Sequence, residues 1–156
     1  MRELLPTDGP AVHRLLGDPA VAAVFRSSGP FTLEECEDMV AKKVAHRVAH
    51  GFGWYLAWDD DDCLGWSLAQ CCIVDGISEV EIGWTVASSR WRQGIGTLLG
   101  ERALAEVAPL GLDSVIAYAR EDNTGSRGVM RNLEMTYEKS FVWRGLPHVL
   151  YRKSMR

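Results

Sequence analysis

The run Ser88-Ser89-Arg90-Trp91-Arg92-Gln93-Gly94-Ile95-Gly96-Thr97 holds the residues of this chain best suited to chemistry. It lies between an alternating segment, Glu79 to Ala87, and a stretch in which Ile95, Leu98, Leu99, Arg102, Ala103, Glu106 and Val107 recur at helical spacing. A helix start exposes free N–H groups and a partial positive charge. Glycines let an anion approach the backbone with no Cβ in the way. Together they make a cradle for a pyrophosphate, and Arg90 and Arg92 add positive charge beside it. A Walker loop would need Gly-Lys-Ser/Thr, and this run has no Lys. A dinucleotide fingerprint would need Gly where Leu99 stands and a turn directly after the strand, yet seven residues separate Val86 from Gly94. On the two glycines alone, an ordinary glycine-containing helix start stays open.

The elements that must position this turn are legible as a pattern. Val12, Leu15 and Leu16 predict a helix, with Thr7 or Asp8 as N-cap, and Gly29-Pro30 marks a break. Thr32-Leu33-Glu34-Glu35 is a capping box opening a long helix with Met39, Val40, Val44 and Val48 as its apolar stripe, ending at His50-Gly51. Strands are predicted over Trp54 to Trp58, Leu64 to Val74, Glu79 to Ala87 and Asp113 to Ala119, with Asp59 to Asp62 as a solvated hairpin tip. A further helix is capped by Asp122-Asn123-Thr124, and two closing strands, Thr136 to Trp143 and His148 to Lys153, flank a turn at Gly145-Leu146-Pro147. The sequence predicts a single α/β domain over residues 1–156, with strand–helix–strand units in its second half.

Composition narrows the class. Apolar residues are 47% of the 156, an ordinary globular share. With Lys plus Arg at 17 and Asp plus Glu at 21, the net charge is −4, which argues against non-specific nucleic-acid binding. No apolar run reaches the ~18–20 residues of a membrane span, and no apolar segment follows Arg2, so a cytoplasmic chain with no membrane partner is expected. Cys36, Cys63, Cys71 and Cys72 lack C-x-x-C spacing and read as reduced thiols, mostly core filler. His46 and His50 stand i, i+4 on one helix, half of a metal site, but no third ligand is evident and no metal is expected.

The stretch from Glu79 to Val86, followed by Trp91 to Thr97, resembles the acetyl-CoA motif of the GNAT acyltransferases, in the branch of ribosomal-protein-alanine (RimJ/RimL-like) acetyltransferases. Asn123-Thr124-Gly125-Ser126 with Val129 to Glu138 is similar to that branch's second signature, and Arg2 to Asp8 to its opening strand and helix. Three departures stand out. Glu134 occupies a usual Gly, Met130 stands where several members carry a Tyr general acid, and the first strand is short or lost.

The resemblance implies a GNAT fold, a central mixed, mostly antiparallel sheet flanked by about four helices. It implies acetyl-CoA as donor, a primary amine of a small molecule or protein N-terminus as acceptor, and a homodimer. It places Trp84, Thr85 and Val86 along the acetyl and pantetheine arm, Arg92, Gln93, Gly94, Ile95, Gly96 and Thr97 at the pyrophosphate, and Asn123 and Ser126 near the sulfur. Amine attack needs a base, because an amine near pKa 10 is only about one part in a thousand neutral at pH 7. Glu81, on the strand face with Glu79, Gly83 and Thr85, is the candidate base, although a solvent-facing charge reads equally well. Ser126 is the candidate acid or relay, since Met130 cannot donate a proton, and Tyr118 reads as a core tyrosine near the sulfur region. Phe25, Phe31, Trp54, Trp66 and Trp84 fit either core packing or an acceptor cleft. A CoA-binding module without catalysis, and a GNAT fold with other acyl-CoA chemistry, stay open.

Overall fold

The computed structural model describes residues Met1–Arg156. Seven strands form one mixed sheet in the order β1-β2-β3-β4-β5-β7-β6. They are β1 (Arg2–Glu3), β2 (Tyr55–Asp59), β3 (Asp62–Val74), β4 (Ile77–Val86), β5 (Ser114–Arg120), β6 (Thr136–Trp143) and β7 (Leu146–Ser154). The helices are α1 (Gly9–Leu16), α2 (Pro19–Phe25), α3 (Leu33–His50), α4 (Ile95–Val107) and α5 (Thr124–Asn132). The α/β class stands as expected, with five helices rather than about four. The additional one, α2, is too short to show an apolar stripe. Its local signal is Asp18-Pro19: the Asp18 carboxylate accepts the Ala20 N–H at 2.8 Å, and Pro19 fills the first helical position.

Local chemistry explains most boundaries. Thr32 and Glu35 form the reciprocal capping box of α3, with bonds of 3.2 and 2.7 Å, and Gly51 ends the helix at φ 79°. Asp8 stands at the α1 N-cap position but caps nothing. Its carboxylate instead takes two bonds from Arg2, at 2.7 and 2.8 Å, and the Leu5 N–H at 2.7 Å. That triangle ties the two-residue β1 to α1, so the first strand is short but kept. Val48, expected in the apolar stripe of α3, is instead 84% exposed, because α3 has passed the edge of the core by its last turn. Leu146 and Pro147 belong to β7, and the tight turn is Arg144-Gly145, with φ 49° and 77°.

Two apolar clusters lie on opposite faces of the sheet. One joins α1, α2 and α3 to Trp54, Leu56 and Trp66, and the other joins α4 and α5 to Ile82, Val115, Ala117 and Val149. On α4, Gly96 and Gly100 let the helix press onto the sheet. A Cβ on Gly100 would stand 2.4 Å from Leu133 and 3.1 Å from Trp84. No helix is long and apolar enough to cross a membrane.

One feature of the sheet makes room for a ligand. Strands β1 to β4 pair antiparallel, and so do β5, β7 and β6. The halves meet only where β4 and β5 run parallel, and that ladder has a single registered pair, Glu81 opposite Ile116. Beyond it the strands part toward their C-terminal ends, where α4 and α5 begin. Open α/β sheets bind ligands outside the carboxyl ends of parallel strands that diverge in this way.

Candidate active site

A chamber of about 800 Å³ opens at this parting and extends across the sheet to α2 and α3. It brings together Glu81, Trp84 and Thr85 from β4 with Asn123 and Ser126 from the start of α5. Val86 and the turn Arg92 to Thr97 do not line it and lie outside its wall. All five aromatics singled out in the sequence, Phe25, Phe31, Trp54, Trp66 and Trp84, face it. Trp54 and Trp66 stack at 5.1 Å, and Phe25 meets Phe31 edge-on at 6.3 Å. They serve as core and as wall at once.

Glu81 is not a solvent-facing charge: it is 7% exposed. The alternation of β4 turns it toward α3, and α3 roofs that face. Gln70, its register partner on β3, donates through Nε2 to Glu81 Oε2 at 2.7 Å. Lys43 of α3 donates through Nζ to Gln70 Oε1 at 2.5 Å. An ammonium has no acceptor to offer, so Lys43 fixes which end of the Gln70 amide faces Glu81. The Tyr118 hydroxyl of β5 lies against the same carboxylate. Burial pushes the Glu81 carboxyl above its ordinary range, against the pull of the Gln70 bond, the Lys43 charge and Tyr118. Burial also lowers the Lys43 ammonium and raises the Tyr118 phenol, the latter further raised by the Glu81 charge. A carboxyl raised above its ordinary range, with an oriented donor on one oxygen, has the chemistry of a general base.

Outside the chamber wall, the start of α4 is built to meet an anion. Gly94 adopts φ 79° at the N-cap position and Arg92 φ 62°, so the chain curls with its N–H groups outward. The backbone N–H groups from Arg92 to Gly96 find no acceptor in the protein; the first bonded ones are Thr97 and Leu98, both on the Gly94 carbonyl. A Cβ on Gly94 would meet nothing within 4 Å, so the approach is open. The Gln93 side chain is turned back to the Ser89 carbonyl at 3.3 Å, and the Thr97 hydroxyl accepts from Asn132 at 3.2 Å. Within this turn, the backbone and Arg92 are therefore the groups left for a ligand. This free row of donors fits a diphosphate.

Asn123 caps α5, accepting the Ser126 N–H at 3.0 Å through Oδ1, so its side-chain carbonyl is already used. The Ser126 hydroxyl makes no bond in the protein and lines the chamber. Met130 is 1% exposed and belongs to the core beneath α5. Glu134 has φ 58°, which explains why a Gly suits that position. All four cysteines are free thiols: Cys36 and Cys63 are buried, Cys72 is half-buried, and Cys71 is exposed and so stands outside the core. Sequence reasoning missed Lys43, Gln70, Arg144 and His148 as chamber residues. Gln70 carried a signal, since an amide inside an otherwise apolar strand needs a partner. Lys43, Arg144 and His148 carried none, because only tertiary packing brings α3 and the β6–β7 turn to Glu81.

The parted sheet and its chamber, with the free α4 turn outside the chamber wall, leave room for an anionic group on the turn and for a second, buried molecule in the chamber. Residues 1–136 match the family model described as Acetyltransferase (GNAT) domain. The chain belongs to the GNAT acetyltransferase family. Among solved structures it is similar to RimL, the ribosomal L7/L12 alpha-N-protein acetyltransferase in complex with coenzyme A, at 21% identity and TM-score 0.77, over 98% of this chain and 92% of that one. A ribosomal-protein-alanine N-acetyltransferase from Brucella melitensis matches at 20% identity and TM-score 0.77, over 98% of each chain. A GNAT-family acetyltransferase from Bacillus anthracis matches at 20% identity and TM-score 0.76, over 99% and 93%. At these identities the likeness is one of fold.

Proposed function

We propose that this protein transfers an acetyl group from acetyl-CoA to a primary amine, with Glu81 as the base. The observation that carries this reading is the convergence of a buried, upward-poised carboxyl and the uncovered edge of β4 in one chamber, beside a row of unbonded N–H groups. The backbone from Arg92 to Gly96, with the Arg92 side chain, holds the diphosphate, and Gln93, Ile95 and Thr97 shape that turn. The edge of β4 that β5 does not cover offers the backbone groups of Trp84 and the Val86 N–H to the pantetheine arm and the thioester, since the Val86 carbonyl already accepts the Trp91 indole N–H at 2.9 Å and the Thr85 carbonyl is turned to Gly65 of β3. The amine enters from the aromatic side of the chamber. A bound ammonium loses its proton to Glu81, directly or through water, and the neutral nitrogen then attacks the thioester carbonyl. The C–S bond breaks as the amide forms. The nitrogen sheds its second proton as the amide forms, and the Ser126 hydroxyl, free of other bonds, relays a proton to the departing thiolate in place of a tyrosine at Met130, while Glu81 releases the first proton to solvent. The acceptor is a small-molecule amine or the α-amino group of a protein, and the aromatic wall favours one with an apolar body beside the nitrogen.

A panel of amines and peptide N-termini, incubated with acetyl-CoA and read by free-thiol release, tests this. Acceptor-dependent thiol release that fails in Glu81→Gln while CoA still binds is the expected result. Tight CoA binding with no acceptor-dependent release across the panel would make the protein a CoA-binding module instead.

A further inference from the structure

Near the C-terminal end of α3, on the side away from the chamber, the structure completes a motif that the sequence left at half. His46 and His50 stand one turn apart on the helix, and Cys71 of β3 comes up beside them. One ligand atom from each lies within 4.8 Å of the other two. Cys71 Sγ is 3.7 Å from His50 Nδ1, and the two imidazole centroids are 4.4 Å apart. None of the three lines the chamber.

The topology explains why they meet. The pairing of β2 with β3 reaches no further than Ser67, so the next part of that edge lacks a strand. The Ala69 N–H turns to the Gly53 carbonyl at 3.3 Å, and the Cys71 N–H turns to His46 Nε2 at 3.0 Å. An imidazole thus stands in for the missing strand. His46 Nδ1 faces the Phe52 carbonyl at 3.2 Å, so Nδ1 carries the hydrogen and Nε2 carries the lone pair. A backbone carbonyl holding the second N–H is how metal-ligating histidines are oriented. Phe52 packs edge-on against the same ring at 5.2 Å and limits its rotation.

We propose that His46, His50 and Cys71 form a binding site for a borderline-soft divalent cation of the Zn²⁺ class, with its fourth position open to water or an added ligand. Two imidazoles and a thiolate select such an ion over Mg²⁺ or Ca²⁺, which need oxygen ligands. Ligands at about 2.0–2.3 Å in a tetrahedron stand roughly 3.3–3.8 Å apart. His50 and Cys71 are already at that spacing, and both are exposed side chains free to adjust. On binding, the Cys71 thiol releases its proton to solvent and the thiolate takes the metal. His46 Nε2 gives its lone pair to the ion, and the Cys71 N–H, on an exposed strand edge, turns to water. The bound ion clasps α3 to β3, one residue along the strand from Gln70 and one helical turn from Lys43.

The test uses the full chain in a non-chelating reductant, titrated with Co²⁺ and then Zn²⁺. The expected result is one equivalent of Co²⁺ with a thiolate-to-cobalt charge-transfer band, displaced by Zn²⁺, and a Tm raised by Zn²⁺. Cys71→Ser should abolish the band, and His50→Ala should weaken Zn²⁺ binding at least tenfold by calorimetry. Both positions are exposed, and circular dichroism checks that the variants fold. No band at micromolar metal, a band that survives Cys71→Ser, or Zn²⁺ binding unchanged in both variants would each overturn the proposal. These readouts do not depend on the reaction in the chamber.

Discussion

Gln70→Leu isolates the polarity that Lys43 imposes on the proposed base. The substitution keeps most of the side-chain volume and removes two bonds, the 2.5 Å one from Lys43 and the 2.7 Å one to Glu81. A hydrogen bond to a charged group contributes about 1.5–3 kcal/mol, and here it favours the ionised carboxylate. Without it the Glu81 carboxyl, already raised by burial, moves higher still. The active base then forms only at higher pH. On the acid side of the pH profile, kcat/KM should fall roughly ten- to hundredfold, since ~1.4 kcal/mol is one decade. On the alkaline plateau most of the rate should return, and CoA affinity should hold, because Gln70 is remote from the α4 turn in sequence and bonds only within the chamber wall. The assay is kcat/KM against pH by thiol release, with Glu81→Gln as the control. An acid limb that does not move in Gln70→Leu would refute the coupling. A Glu81→Gln enzyme with normal turnover would refute the base assignment itself.

Glu81→Gln should lower turnover about 10²- to 10⁴-fold and also raise stability at pH values above the ordinary glutamate range. A carboxyl whose folded-state pKa is raised binds its proton more tightly in the native state. It therefore costs stability as pH rises from the ordinary glutamate value through the folded one, and glutamine removes that cost. The check is Tm against pH, with the gain absent below the ordinary glutamate range and growing as pH rises above it. Gly94→Ala should cost about 1 kcal/mol of stability, because it forces a side chain into φ 79°, and should weaken CoA binding by calorimetry, because its methyl enters the open approach. Gly100→Ala should destabilise by about 1–3 kcal/mol in denaturant, by pushing against Leu133 and the Trp84 ring. Glu134→Gly should gain up to about 1 kcal/mol, since it relieves φ 58° and loses only an exposed 3.4 Å contact to Lys153.

What the sequence determined by itself was whatever is written in local chemistry and short periods. The capping box at Thr32, the alternation of Val80 to Val86 and the glycines at the start of α4 each act over a few residues, so the long helix, the central strand and the open turn ahead of α4 were all readable, and with them the family. Helix α2 was missed because seven residues cannot display a helical stripe. Only the tertiary structure decided the rest. Whether Glu81 met water or protein depended on α3 lying across that face of the sheet. Its partners came from residues 11 and 38 positions away, Gln70 and Lys43, which no spacing rule joins. Cys71 became the third member of the histidine cluster for the same reason: the short reach of β2 left an edge that α3 had to fill. Contacts between distant segments are set by how whole elements pack, and a local pattern carries no record of that.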